Sequence, residues 1–320
     1  MRCPVCANES GNTMHSFREM MFGSRDVFEY LECAKCKCVQ IAAIPVSMSK
    51  YYPASYHSFA PLAPRNRFRG LGAKLRDRYA VSGRGALGKY LSRRFPPDAA
   101  LASLSALDLN HATRILDVGC GSGMLLNALG DLGFRSLLGI DPFLAADIDR
   151  GSGVRLMRKT IHEVEGEFDV IMFHHSFEHL ADPEESLKAA RLRLSPRGHC
   201  LIRMPIVSSY AWRHYGKDWV QLDAPRHFYI HSIDSVRILA DRAGFEVSKL
   251  VYDSTAFQFW ASEQYALDIP LYDPRSYAVA PRSSIFTGKQ IAAFEKRACE
   301  LNAARLGDQA CFYLTKQSVA

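Results

Sequence analysis

Asp117-Val118-Gly119-Cys120-Gly121-Ser122-Gly123, with Asp141 twenty positions after Gly121, is the run whose residue types and spacing could handle a nucleotide. Closely spaced glycines let a backbone turn tightly against a ligand at the start of a helix. A turn that cradles a pyrophosphate needs G-x-G-x-x-G, and a phosphate loop needs Gly-Lys-Ser/Thr; here the run is G-x-G-x-G and the lysine is absent. Gly139-Ile140-Asp141 closes a following strand, where a carboxylate can take two hydrogen bonds from ribose hydroxyls. The combination points to an adenosyl ligand without phosphates.

A second set is built on sulfur. Cys3-Pro4-Val5-Cys6 and Cys33-Ala34-Lys35-Cys36 are two C-x-x-C knuckles separated by twenty-six residues, a spacing suited to four thiolates around a tetrahedral Zn2+. Two knuckles in one short segment favour zinc over a redox pair. Four protein ligands leave no open position, so the expected role is structural. Cys38 is a spare thiol able to replace Cys36, although the repeated knuckle favours Cys36.

A third set lies in Phe173-His174-His175-Ser176-Phe177-Glu178-His179-Leu180-Ala181-Asp182-Pro183. Adjacent strand residues point to opposite faces, so at most one of His174 and His175 is expected at a site. A metal on His175 and His179 with Glu178 would need helical spacing, and Pro183 follows too closely for that.

The elements that must position these residues follow from periodicity. The pattern predicts strands at 114–118, 136–140, 153–158, 168–173, 199–204, 246–252 and 310–315, with helices at 124–132, 183–194, 232–243 and 286–306 and a short turn or helix at 143–149. Such alternation makes a parallel sheet with helices on both faces. Ser232 is the expected N-cap of its helix, and Ser235 stands where a capping box wants Glu or Gln, so that start signal reads as incomplete. Near the N-terminus, 27–32 reads as a ribbon strand with 39–41 returning beside it.

The glycine run closely resembles the first motif of class I S-adenosylmethionine (SAM) methyltransferases of the type 11/23-like subgroup, and the resemblance extends from Thr113 to Phe257. It implies an α/β fold with a doubly wound, Rossmann-like sheet, here preceded by a small zinc ribbon. It also implies that Gly119, Cys120 and Gly121 bring backbone amides to the methionine moiety, and that Asp117 holds this loop or the ligand's amino group. Asp141 would bind the ribose, Pro142 and Phe143 would cover the adenine, Thr160, Ile161 and His162 would complete its pocket with Ile161 foremost, and His174 would face the ligand. Trp219 to Tyr229 contains Asp223-Ala224-Pro225-Arg226-His227, similar to a D-A-P-R-H stretch found beside zinc-ribbon N-termini. It falls where an acceptor would approach the methyl. His227 is the expected catalytic base, because a neutral imidazole suits proton removal at pH 7; holding the loop is an equal alternative. Arg226 would bind an acceptor phosphate or carboxylate, or lock Asp223 in a salt bridge.

Composition bounds the rest. At 320 residues the chain can bury a substantial core plus a smaller module, and the expected division is 1–45 ribbon, 46–110 basic lead-in and 111–320 methyltransferase domain. The aromatic run from Tyr51 to Phe59 reads as packing. No apolar run suits a membrane span or a signal peptide, and nine cysteines fit a cytoplasmic protein with metal-bound or buried thiols. Of the formal charge of +7, the stretch from Arg65 to Arg94 carries ten Lys or Arg against Asp77 alone, leaving about −2 elsewhere. Such a stretch attracts nucleic acid, anionic lipid or phosphorylated substrate, or is a solvated helix face. The expected activity is O-methylation of a small molecule, a glycan or a lipid-linked saccharide. Sugar C-methylation, RNA methylation through the basic stretch, and a SAM-binding adaptor are the alternatives; oligomeric state is left open.

Overall fold

A computed structural model describes residues 1–53, 70–151 and 153–317. Tertiary contacts group the chain into two compact units: Met1–Pro53 with Phe177–Glu184 and Met204–Phe312, and Ala54–Ser176 with Glu185–Arg203 and Tyr313–Ala320. Tyr56 and Phe59 of the aromatic run, and Arg65, Arg67 and Arg69 of the basic stretch, lie outside the described residues.

The first unit begins with an antiparallel ribbon of β1 (Thr13–Arg18), β2 (Val27–Glu32) and β3 (Val39–Ile41). Alternation at 27–32 buries Tyr30, whose neighbour Phe17 across the ribbon is also buried, the two rings 5.0 Å apart.

The second unit holds the helices α1 (Leu71–Ser82), α2 (Ala86–Arg94) and α3 (Ala99–Ser103) and most of the central sheet. β4 (Arg114–Val118), α4 (Met124–Asp131), β5 (Ser136–Ile140), β6 (Ile148–Asp149), β7 (Val154–Met157), β8 (Phe168–His174), α5 (Pro183–Arg193) and β9 (Leu194–Pro205) follow. Strand order here is β9-β8-β4-β5-β7-β6, parallel throughout except for the β6 edge. The order reverses beside β4, so the loops after β4 and β8 open at the switch point of a doubly wound sheet, where such folds bind ligands. Ile115, Leu116, Val170 and Ile171 are at most 1% exposed, as expected of strands covered on both faces. Each such side chain contributes about 1.5–3 kcal/mol by leaving water. The expected turn or helix at 143–149 is a turn ending in the short β6, because Ile148 and Asp149 pair antiparallel with Leu156 and Arg155.

Returning to the first unit, α6 (Tyr210–Tyr215), β10 (Tyr229–Ile230), α7 (Ile233–Arg242), β11 (Phe245–Tyr252), α8 (Phe257–Ala266), α9 (Gly288–Ala303) and β12 (Gln309–Lys316) complete the chain. β10 adds to the ribbon, pairing Tyr229 with Gln40 and Ile230 with Val39. The helix expected at 232–243 is α7, and its capping box is complete. Ser232 Oγ accepts from Ser235 N at 2.9 Å, and Ser235 Oγ accepts from Ser232 N at 2.9 Å, so a serine hydroxyl does what Glu or Gln would do. α8 lacks a polar face because Gln258, Ser262 and Gln264 are buried along with Phe259 and Ala261, which removes the helical period from its sequence.

Candidate functional site

Gly119, Gly121 and Gly123 have φ of +75°, +51° and +75°, a left-handed region that other residues enter at a cost. At Gly119 a Cβ would stand 2.4 Å from Ser176 Cβ, while Ser176 Oγ donates to Val118 O at 2.6 Å. The turn after β4 is thereby seated on the end of β8, and Ser176, which carried no signal in the sequence, supports it.

The resemblance directs the amides of this turn to a ligand, and in this structure they also have partners inside the fold. Gly119 N and Cys120 N both donate to Ile140 O, at 2.8 and 3.1 Å, and Gly121 N donates to Asp141 Oδ2 at 3.1 Å. Asp141 Oδ1 accepts from Phe143 N at 2.9 Å. The Asp141 side chain thereby ties the turn to the end of β5. Asp117 is 4% exposed, and burial together with the charge of Asp141 pushes its carboxyl up to about 7. Three amide protons are thus used inside the fold, and two carboxylates stand close together. Cys120 is a half-buried thiol raised above its ordinary value by burial and then by Asp117.

Around this centre the remaining candidates differ. Phe143 is 71% exposed beside an exposed Pro142, an apolar surface with room for a planar ring. Ile161 is buried in a short turn after β7, next to Thr160 and Glu163, which cap each other. His174 ends β8 opposite Arg203, and His175 Nε2 accepts from Arg203 Nη1 at 2.7 Å.

In the first unit, Cys3, Cys6, Cys33 and Cys36 bring their sulfurs within 4.8 Å of one another. Sulfur separations of 3.6 Å (Cys3–Cys36) and 3.4 Å (Cys6–Cys33) approach the edge of about 3.8 Å that four Zn–S bonds define. Cys38 lies apart, its thiol directed to Val39 O, Ile230 O and His231 Nδ1. The donor chemistry fits zinc, with Cys36 and not Cys38 in the set.

The Asp223–His227 loop contains a cis Ala224–Pro225 bond and is held by Arg226, which is fully buried. Its guanidinium donates to Asp223 at 2.6 and 3.0 Å, to Glu19 Oε1 at 2.8 Å and to Tyr51 O at 3.1 Å. Arg226 thus locks Asp223 and is spent inside the unit. Burial pushes the Asp223 carboxyl up, but Arg226 outweighs it and holds that group below its ordinary value.

His227 follows with Nδ1 2.8 Å from Gln221 O, and His179 has Nδ1 2.7 Å from Arg226 O. Carbonyl oxygens only accept, so both rings carry their proton on Nδ1 and present Nε2 as a lone pair. His227 Nε2 lies 3.9 Å from Glu178 Oε1 and 3.9 Å from Asp223 Oδ2. Burial, and then His227, holds His179 below its ordinary value, and the two rings meet edge-on at 4.8 Å. One donor atom each from Glu178, His179 and His227 falls within 4.8 Å of the others, a set able to hold a cation. Sequence reasoning had weighed His175 in that company; the loop brings His227 instead.

Residues 81–250 match a methyltransferase-domain family. The chain is 32% identical over 177 residues to a ubiquinone biosynthesis O-methyltransferase of Azorhizobium caulinodans, covering 50% of this chain and 67% of that one. It is 31% identical over 100 residues to the protein of the same name from Pseudomonas aeruginosa, covering 28% of this chain and 43% of that relative, less than half its length. Among solved structures, a SAM-dependent methyltransferase of Thermotoga maritima, described as a possible histamine N-methyltransferase, aligns over 76% of this chain and 99% of its own at 20% identity and a TM-score of 0.43. A cyclopropane synthase of Mycobacterium tuberculosis aligns over 67% of this chain and 81% of its own at 17% identity and a TM-score of 0.43.

Proposed function

The chain belongs to the methyltransferase-domain family and is a SAM-dependent methyltransferase, and from that premise we propose that it methylates a hydroxyl oxygen of a small-molecule or lipid-linked saccharide acceptor. The observation that carries the proposal is the turn after β4, whose spent amides and paired Asp117 and Asp141 suit a cationic, phosphate-free adenosyl ligand. The names of the relatives, both O-methyltransferases, support oxygen over carbon as the accepting atom.

SAM supplies an electrophilic methyl on a sulfonium. Asp117 would hold its amino group beside the turn at Gly119, Cys120 and Gly121, Asp141 would take the ribose hydroxyls, Pro142, Phe143 and Ile161 would enclose the adenine, and His174 would line the site. The acceptor oxygen bonds to the methyl carbon as the carbon–sulfur bond breaks with its electron pair to sulfur. His227 Nε2 takes the hydroxyl proton, and Glu178 and Asp223 stabilise the resulting charge. The test is label transfer from methyl-labelled SAM into extract separated into glycolipid, small-molecule and RNA pools. The proposal expects label outside RNA, and a loss of roughly 100-fold or more in His227→Ala with S-adenosylhomocysteine affinity retained. Label in RNA, or unchanged turnover in that variant, overturns it.

Glu178, His179 and His227 favour a second reading, in which a divalent cation on this trio assists proton loss. Turnover that stops on dialysis leaving the cysteine-bound metal in place, and returns with Mg2+, would select it. The four-cysteine cluster is proposed to hold one structural Zn2+ per chain, checked by elemental analysis of the protein and of Cys33→Ser. Nine cysteines without a disulfide support a cytoplasmic setting. Among the described residues no helix is long and apolar enough to cross a membrane.

A further inference from the structure

The helical hairpin α1–α2 leaves a surface that neither the methyl-transfer site nor the ribbon uses. Gly88 lets α2 lie directly on α1: a Cβ there would sit 2.5 Å from Leu75 O and 2.6 Å from Tyr79 Cβ. The hairpin is therefore closely packed through its inner faces, with Ala80 and Val81 buried. Its outer residues are free of that duty, yet four are large and apolar: Leu71, Leu87, Tyr90 and Phe95, at 75, 57, 65 and 55% exposure.

Cations stand among them. Lys74, Arg78, Arg84, Lys89, Arg93 and Arg94 are exposed, and the single acidic residue from Leu71 to Phe95, Asp77, is buried and paired with Arg76 at 2.7 Å. The exposed surface thus carries six positive charges and no negative one. Helical spacing arranges them in stripes. Leu71, Lys74 and Arg78 follow at i, i+3 and i+7 along α1, and Leu87, Tyr90 and Arg94 at i, i+3 and i+7 along α2, with Lys89 and Arg93 flanking. Arg94 lies over the Phe95 ring at 5.3 Å, so even this cation is held beside apolar surface.

We propose that the α1–α2 hairpin docks the protein on a bilayer surface rich in anionic lipid. Aliphatic and aromatic tips interleaved with Lys and Arg along exposed helices are what the interface between headgroups and acyl chains accepts, the tips entering the apolar boundary and the cations meeting phosphates. RNA would use the cations but gives no reason for exposed Leu71 and Leu87. The inference does not depend on which acceptor is methylated.

The test is co-sedimentation of the full chain with vesicles of phosphatidylcholine alone or with about one third phosphatidylglycerol, in parallel with a single-stranded RNA oligonucleotide. The expected result is binding to the anionic vesicles only, weakened by salt. Lys89→Glu/Arg93→Glu/Arg94→Glu should lose roughly a hundredfold or more in binding, and Leu87→Ser/Tyr90→Ser roughly tenfold. These residues are exposed, so thermal unfolding and S-adenosylhomocysteine binding should match the parent. Absence of sedimentation with anionic vesicles overturns the proposal. So does RNA and vesicle binding that both vanish with the charge variant and ignore Leu87→Ser/Tyr90→Ser, which would mark a general polyanion surface.

Discussion

Asp117→Asn should make the unliganded protein more stable and its SAM site worse. The Asp117 carboxyl titrates at about 7 in the fold against 3.8 as an ordinary aspartate, a difference of about three units or about 4 kcal/mol between its two protonation states. A folded-state value raised above the unfolded one means that the native chain binds more protons between these limits. The contribution of this group is fully present below pH 4 and is lost as the pH rises through 7. Asparagine keeps the shape and removes the titration, so the variant's advantage over the parent should grow by up to about 4 kcal/mol from pH 4 to pH 8. A cationic ligand reverses the balance, because it favours the ionised carboxylate. Affinity for S-adenosylhomocysteine, whose ammonium remains, should rise up to about tenfold per pH unit between pH 5 and 7 and then level off, with release of up to one proton. Asp117→Asn should show weaker affinity and a flat profile. Urea unfolding at pH 5, 6, 7 and 8, with calorimetry in buffers of different ionisation enthalpy, measures both. A stability gap that does not change with pH, or binding that takes up protons, would refute the reasoning.

Arg226→Ala leaves Asp223 and Glu19 buried without their cation and should cost about 3–5 kcal/mol, seen as a lower urea midpoint. Gly119→Ala forces a Cβ to 2.4 Å from Ser176 Cβ at a φ of +75° and should abolish measurable S-adenosylhomocysteine binding. Ser176→Gly added to it removes the clash and leaves the backbone cost, so calorimetry of the double variant should show partial recovery; no recovery would place the damage elsewhere.

Much of the sheet could be read from the chain because its signals are local. Arg114–Val118 and Ser136–Ile140 occupy the residues that periodicity assigned, since strands covered on both faces are continuous apolar runs bounded by turn residues. Local reasoning failed where a group's partner lies far along the chain. The amides of Gly119 and Cys120 carry no mark of their partner in the sequence, and Ile140 O accepts from both. Arg226 had two candidate partners, and the structure adds Glu19, 207 residues away, for which no spacing rule exists. Ser235 read as an incomplete cap because its hydroxyl can donate or accept, and only the local backbone decides which.

By itself the sequence determined the chemical vocabulary: a glycine turn with a carboxylate beyond it, a repeated cysteine knuckle, and histidines in two loops. These follow from residue type and short-range spacing, which the backbone can obey in only a few ways. The tertiary structure decided which atoms remain available. Pairing of β10 with β3 adds the strand that follows the Asp223–His227 loop to the ribbon, and backbone carbonyls accept from Nδ1 of His179 and His227. Desolvation and the nearby Asp141 then raise the Asp117 carboxyl to about 7. Those properties depend on burial and on long-range partners, and neither exists until the chain is folded.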